Sequence, residues 1–211
     1  MNLNYTINDP WDWVTHFEQA VAQRLGSKYA VAIDCCSNGL FLALKYLGAE
    51  GTTINIPRRT YASVPMQVIH AGCRIRWTDE LWKGDYLLDP LPIVDSAVRF
   101  TESCYRPGTY TCLSFHHRKR IGIGRGGMIL TDDADFVTWC RPMIYDGRDK
   151  HVLYKDDYAR CIGYHMYMTP EQAEMGLDIL NRTALECEDT DTGVNYKDMS
   201  LEPVFGPYVD A

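Results

Sequence analysis

The sequence predicts an α/β fold, with a mostly parallel central sheet flanked by helices. Three observations point there. Short apolar runs of strand length alternate with segments whose apolar residues recur at helical spacing. Small polar residues, Gly or Pro separate the two kinds of segment. The chemically able side chains Ser37, Asp95 and Ser114 fall at or just after the ends of apolar runs, the edge where open α/β sheets bind ligands.

In chain order, Trp11 to Leu25 reads as a helix, with Trp13, Phe17, Val21 and Leu25 on one face. Tyr29 to Ile33 is a short strand, and the polar turn Asp34-Cys35-Cys36-Ser37-Asn38 leads into a helix from Gly39 to Leu47. Thr53 to Ile56 is a strand ended by Pro57, and Ser63 to Ala71 a helix with Pro65 in its first turn. Strands follow at Arg74 to Trp77, at Ile93-Val94 ending in Asp95, at Tyr110 to Phe115 and at Met128 to Thr131. Residues 79–92 show no period and read as a connector. Asp133 to Trp139 is helical. Thr169-Pro170-Glu171-Gln172 opens a last helix, expected to run to about Leu185, because a threonine cap, proline at the first helical position and an acidic first turn coincide. Residues 1–185 are expected to form one α/β unit, and 186–211 an extended or loosely packed tail.

Of the 211 residues, 46% are hydrophobic and 23% charged, which suffices for a sizeable core. A net charge of -7 argues against nucleic acid as a partner. No apolar run reaches membrane-spanning length, and the polar start of the chain does not read as a secretory signal. The 8 cysteines form no Cys-x-x-Cys pair and read as reduced thiols, so a cytoplasmic setting is expected. His116 and His117 with nearby cysteines are the sharpest metal candidates. No ligand spacing repeats, however, and no metal is expected.

The stretch from Cys112 to Gly127 is the most informative. A strand delivers Ser114, a lysine follows at Lys119, and Gly122, Gly124, Gly126 and Gly127 allow tight turns. A phosphate-binding hydroxyl near a nucleophilic amine is what holding pyridoxal 5'-phosphate requires. The glycines also match G-x-G-x-x-G, but they precede a strand and open no helix, so a dinucleotide site is rejected. The turn at Ser37-Asn38, opening a helix, is a candidate phosphate site or a simple cap. Asp95, ending a buried strand, needs a partner: a protonated ring nitrogen or a structural cation. Tyr61 is a candidate stacking ring or an ordinary surface tyrosine.

In order and spacing, Phe17-Glu18-Gln19, Ser37 to Leu44, Pro57 to Tyr61, Asp95-Ser96-Ala97, Ser114 to Gly127 and Gly163 to Thr169 resemble the DegT/StrS-type sugar aminotransferases. The resemblance covers about Phe17 to Leu180. It implies an aspartate-aminotransferase-like large domain (fold type I) in a compact member without the C-terminal domain. It further implies that Lys119 binds the cofactor aldehyde covalently and Asp95 pairs with the pyridine nitrogen. Tyr61 would stack on the ring, while Ser37, the Asn38 backbone and Ser114 hold the phosphate. Val98 stands where the family carries glutamine or histidine. His165 stands where it carries the asparagine that reaches the partner subunit's site, so a homodimer is implied. The implied reaction moves an amino group from an amino acid, glutamate, to a keto acceptor, a nucleotide-linked keto-sugar. Two alternatives stay open: sugar dehydration on the same cofactor, given His116 and His117, and a weakly catalytic cofactor-binding or scaffold protein.

Overall fold

The computed structural model describes residues 5–184, 186, 188–189 and 192–210. Helix α1 (Asp12–Leu25) leads to strand β1 (Tyr29–Ile33), then α2 (Cys36–Tyr46), β2 (Thr53–Pro57), α3 (Ser63–His70) and β3 (Arg74–Thr78). Next come β4 (Tyr86–Leu87), β5 (Ile93–Ser96), β6 (Tyr110–Ser114), β7 (Gly127–Thr131), α4 (Ala134–Met143) and α5 (Pro170–Arg182). The predicted end of α5 at Leu185 lies outside the described residues. The capping box at Thr169 is formed, with the Gln172 backbone N–H donating to Oγ1 and Gln172 Oε1 accepting from the Thr169 N–H.

The α/β class holds, with a mixed sheet where a mostly parallel one was expected. Five strands run in the order β1-β7-β6-β5-β4, and β2 and β3 form a parallel pair. Only β5 and β6 are parallel within the larger sheet. The cause is local. β6 and β7 are joined by the glycine-rich loop as a hairpin, and β7 inserts beside β1. β4, a two-residue strand inside the predicted connector, returns antiparallel onto β5. Just beyond it, Asp89 O accepts from Asn55 N at 2.7 Å and ties β2 to the larger sheet.

Alternation along the strands sorts the core into two layers. Val31, Ile33, Cys112 and Ile129 face α2, α3 and α4, while Ala30, Ala32, Leu113, Met128 and Leu130 face α1 and α5. α1 and α5 pack closely: a Cβ added at Gly176 would lie 2.6 Å from the Phe17 ring.

The tail differs from the expected loose end. Residues 193–195, 199–201 and 203–208 form 3-10 turns, and Met199 and Phe205 enter the core. Met199 N donates to Arg58 O, Asp210 N to Ile75 O, and the Asp210 carboxylate pairs with Arg74. The sequence shows no period here because short 3-10 turns anchored by single residues leave none.

Candidate active site

Between the ends of β5 and β6 and the start of α2 lies a cavity of about 460 Å³. Ser37, Tyr61, Asp95, Ser114 and Lys119 all line it, so five of the seven predicted site residues converge.

Asp95 sits on the cavity floor at the end of β5, and its carboxylate is buried. Tyr86 OH donates to Oδ2 at 2.7 Å and the Ala97 backbone N–H to Oδ1 at 3.0 Å. Burial raises the Asp95 pKa, against the pull of those two hydrogen bonds and of the nearby Lys119 amine. The Tyr86 phenol, itself buried beside this carboxylate, is pushed well above its usual range. Tyr86 OH also shares a short hydrogen bond with Thr60 Oγ1. The Cys36 thiol lies 3.9 Å from Asp95 Oδ1, and burial raises its pKa strongly, so it stays neutral.

Lys119 is presented by the β6–β7 loop. Phe115 N to Gly126 O, Ile123 N to Phe115 O and His117 N to Gly124 O close that loop, and Phe115, Ile121 and Ile123 root it in the core. Gly124 adopts φ +89°, a conformation that favours glycine. The Lys119 N–H donates to His116 O at 2.7 Å, fixing the turn. His116 also lines the cavity; desolvation and the neighbouring His117, Lys119 and Arg118 lower its pKa.

Helix α2 begins at Cys36, three residues before the predicted start, and has no side-chain cap. The polar turn is thus the first turn of the helix; Gly39 N donates to Cys35 O at 3.2 Å, and the helix start as a whole favours an anion. Ser37 Oγ, 2.6 Å from Ser63 Oγ, adds a hydroxyl pair at that end. Gly127 makes this approach possible, because a Cβ there would lie 2.5 Å from Cys35 C and Cys36 N. Ser114 Oγ lines the same end and accepts weakly from His116 N at 3.4 Å.

Asn38 is expected to act through its backbone and His165 from the partner subunit, and neither side chain lines this cavity. The Asn38 side chain turns away to Asp34, donating to Oδ1 at 2.8 Å, while Arg125 holds Asp34 Oδ2 at 2.6 Å. Its side chain braces the turn. His165 is exposed, pairs with Asp146 at 3.1 Å and packs edge-on against Tyr167, outside the cavity of its own chain.

The opposite wall went unpredicted. Trp82, Tyr86 and Tyr196 form it, with ring centroids 5.1 Å apart for Trp82–Tyr86 and 5.3 Å for Trp82–Tyr196. Trp82 Nε1 donates to Arg59 O and Arg59 Nη1 to Tyr196 O, stitching connector and tail together. Aromatic residues in otherwise polar, aperiodic segments were the one available signal. Tyr61 is 64% exposed, so its ring stands at the rim, free to cover a flat group.

Among the described residues, no three His, Cys, Asp or Glu side chains are grouped to hold a metal, and the cysteines are free thiols. No helix there is long and apolar enough to cross a membrane. A flat, phosphorylated, cationic ring fits the donor set: a buried carboxylate at one end, an uncapped helix start with hydroxyls at the other, and an amine alongside.

Comparison with known proteins agrees. SpsC, a spore coat polysaccharide biosynthesis protein of Bacillus subtilis, is 24% identical over 80% of this chain and 56% of its own length. GDP-perosamine synthase of Caulobacter vibrioides is 25% identical over 81% of this chain and 57% of its own. The chain thus spans a little over half the length of these relatives. The fold is shared with AtS13 of Actinomadura melliaura (TM-score 0.69, 20% identity, 80% of this chain and 59% of that one). It is shared also with the putative sugar aminotransferase Spr1654 of Streptococcus pneumoniae in its PMP form (TM-score 0.66, 14% identity, 81% of this chain and 58% of that one), a protein crystallised in a PLP form as well. The DegT/DnrJ/EryC1/StrS aminotransferase family model matches residues 6–95 and 105–199, and the chain belongs to that family.

Proposed function

We propose that this chain is a pyridoxal-phosphate-dependent aminotransferase that moves an amino group from glutamate to the keto group of a nucleotide-linked sugar. The observation that carries the reading is the convergence of Asp95, Lys119 and the uncapped start of α2 on one cavity. Membership of an aminotransferase family supports the reaction class. Relatives named for GDP-perosamine synthesis and for transamination of a UDP-linked amino-dideoxy sugar support the acceptor class.

Pyridoxal phosphate, when bound, supplies an electron-withdrawing ring that stabilises negative charge on the carbon bearing the amino group. The residues divide the remaining work. The α2 start, Ser37 and Ser114 bind the phosphate. Asp95, whose carboxylate is held by Tyr86 and Ala97, would pair with the ring nitrogen and, as an anion, would keep it protonated. Lys119 Nζ would hold the cofactor aldehyde and, as a free amine, would serve as the base that carries the proton of the amino donor. Trp82, Tyr86 and Tyr196 would exclude water on one side, and Tyr61, at the rim, would cover the ring.

The site reads as half of a homodimer, with His165 reaching the phosphate bound by the partner subunit. Its exposed position, outside its own chain's cavity, is consistent with that role.

The test is a half-reaction. Glutamate added to the cofactor-loaded protein should convert the aldehyde cofactor to its amine, with loss of visible absorbance and release of 2-oxoglutarate. A chromophore that survives glutamate and other amino donors would refute the transamination reading.

A further inference from the structure

Thr60, Tyr86 and Asp95 form a hydrogen-bonded chain that crosses between the two sheets. Thr60 follows β2, a strand of the smaller pair, whereas Tyr86 lies in β4 and Asp95 in β5 of the larger sheet. All three residues are buried, and all three line the Lys119 cavity. Tyr86 OH stands between the other two. It donates to Asp95 Oδ2 at 2.7 Å and shares a second hydrogen bond with Thr60 Oγ1.

The chemistry of the groups fixes the direction of the chain. An ionised carboxylate only accepts, and a phenol has one proton to give. Tyr86 spends that proton on Asp95, so its oxygen accepts from the Thr60 hydroxyl. The pull on the phenol agrees: burial and Asp95 raise its pKa, and the Thr60 hydrogen bond lowers it. With Asp95 protonated, the bond to Tyr86 would join two neutral groups and be roughly half as strong. The chain therefore favours the ionised carboxylate, and each link polarises the next.

The other groups that act on Asp95 come from several elements. The Ala97 backbone N–H donates to Oδ1 at 3.0 Å, and from α2 the neutral Cys36 thiol lies 3.9 Å from the same oxygen. From β6 the buried Cys112 thiol is kept neutral by burial and by Asp95 itself. Asp85, beside Tyr86 in the chain, adds a like charge, but Arg99 and Arg106 hold it. Lys119 adds a favourable positive charge. That amine is the one proposed to hold the cofactor, so the hydroxyl chain is the support that cofactor binding leaves in place.

The geometry points to Tyr86 and Thr60 as positioning residues, whose chain of hydroxyls keeps the Asp95 carboxylate ionised and oriented in the cavity. Its use in the reaction rests on the reading of Asp95 as the partner of the ring nitrogen. Thr60 directly precedes Tyr61, so the same chain ties the rim ring on one sheet to the floor carboxylate on the other.

The test follows the titration of Asp95 in the full, cofactor-free chain by carbon-13 NMR of labelled aspartate carboxyls, with Asp95→Asn identifying the resonance. Tyr86→Phe should raise the midpoint by about one to two pH units, the scale of a lost hydrogen bond to a charged group. Thr60→Val should raise it by roughly a third of a pH unit, the scale of cooperative strengthening along such a chain. Thr60→Ser keeps the hydroxyl and should leave the midpoint unchanged. A packing role alone would give a different order, because Thr60→Ser loses a methyl and Thr60→Val does not. With pyridoxal phosphate added, the acid side of the affinity profile should move by as much as the Asp95 midpoint does. A midpoint that stays fixed in Tyr86→Phe, or moves equally in Thr60→Val and Thr60→Ser, overturns the inference. A midpoint that moves as stated while the affinity profile stays fixed bears out the chain and counts instead against Asp95 as the ring's partner.

Discussion

The two walls of the Lys119 cavity are built from different material. One wall is backbone architecture: strand ends carrying Asp95 and Ser114, the start of α2, and a hairpin loop rooted by Phe115 and Ile123. The other is three aromatic side chains, Trp82 and Tyr86 from a connector and Tyr196 from the tail. The first wall places charges and hydrogen-bond donors where the fold fixes them. The second encloses. Damage to the first wall should therefore abolish cofactor binding, and damage to the second should leave it standing while changing what surrounds it.

The largest effect belongs to Lys119→Ala. The amine is the single covalent anchor proposed, and the loop that carries it is held by backbone bonds that do not involve the side chain. Borohydride reduction followed by mass spectrometry should give a cofactor-mass adduct at Lys119 in wild type and none in the variant, with the thermal midpoint nearly unchanged. An adduct that persists in Lys119→Ala, on another lysine, would remove the central assignment.

Gly127→Ala ranks next. The added methyl would meet the backbone of Cys35 and Cys36 at 2.5 Å, and backbone cannot rotate away as a side chain can. Overpacking of this kind costs about 1–3 kcal/mol. The strain falls on the first turn of α2, so cofactor affinity should drop by about tenfold to a hundredfold. Unchanged affinity would show that the α2 start does not hold the phosphate.

Asp95 joins the two walls, since its carboxylate belongs to the sheet and its Tyr86 partner to the connector. Burial raises its pKa, so folding favours the protonated form. The stabilisation this gives is complete below the ordinary carboxylate range and is lost as the pH rises through the raised value. At neutral pH the cofactor-free protein carries the cost of a buried carboxylate. Asp95→Asn should then raise its Tm at neutral pH, with the gain shrinking in acid, while weakening cofactor binding. Tyr86→Phe should act the other way, removing a hydrogen bond to a charged group worth about 1.5–3 kcal/mol and lowering Tm most where Asp95 is ionised. A neutral-pH Tm that is indifferent to both substitutions would mean that Asp95 is not the strained group.

The difference between the walls is also the difference in what the sequence disclosed. Asp95 and Ser114 were legible because each stands at the end of an apolar run, where a strand reaches the sheet's edge, and Ser37 and Lys119 because they stand in the polar turns that follow such runs. The two-residue strand β4 is too short for any period, so Tyr86 stayed hidden in a connector. Tyr196 lies more than a hundred residues from Trp82 and meets it through a tail without regular pattern. The antiparallel placement of β7 was equally hidden: strand spacing does not encode direction, and the short β6–β7 loop acquired its meaning only as a hairpin. Asn38 is expected to reach the phosphate through its backbone, and the bond of its side chain to Asp34, which braces that turn, is a local detail that spacing does not reveal.

The smallest effect, and the sharpest probe of the enclosing wall, is Tyr196→Ala. Tyr196 touches Trp82 through its ring and Arg59 through its backbone carbonyl; the variant loses the ring contact and keeps the carbonyl. An aromatic pair of this geometry is worth about 0.5–1.5 kcal/mol beyond area burial, a modest loss of stability. No formal charge is removed, so cofactor affinity should stay within about threefold, well under the tenfold that 1.4 kcal/mol would give. Water should reach Trp82, which is nearly fully buried in the intact protein, and its emission should shift to the red relative to a Trp82→Phe control. If cofactor affinity instead collapses as far as in Gly127→Ala, the tail is part of the anchor, and the division of labour between the two walls does not hold.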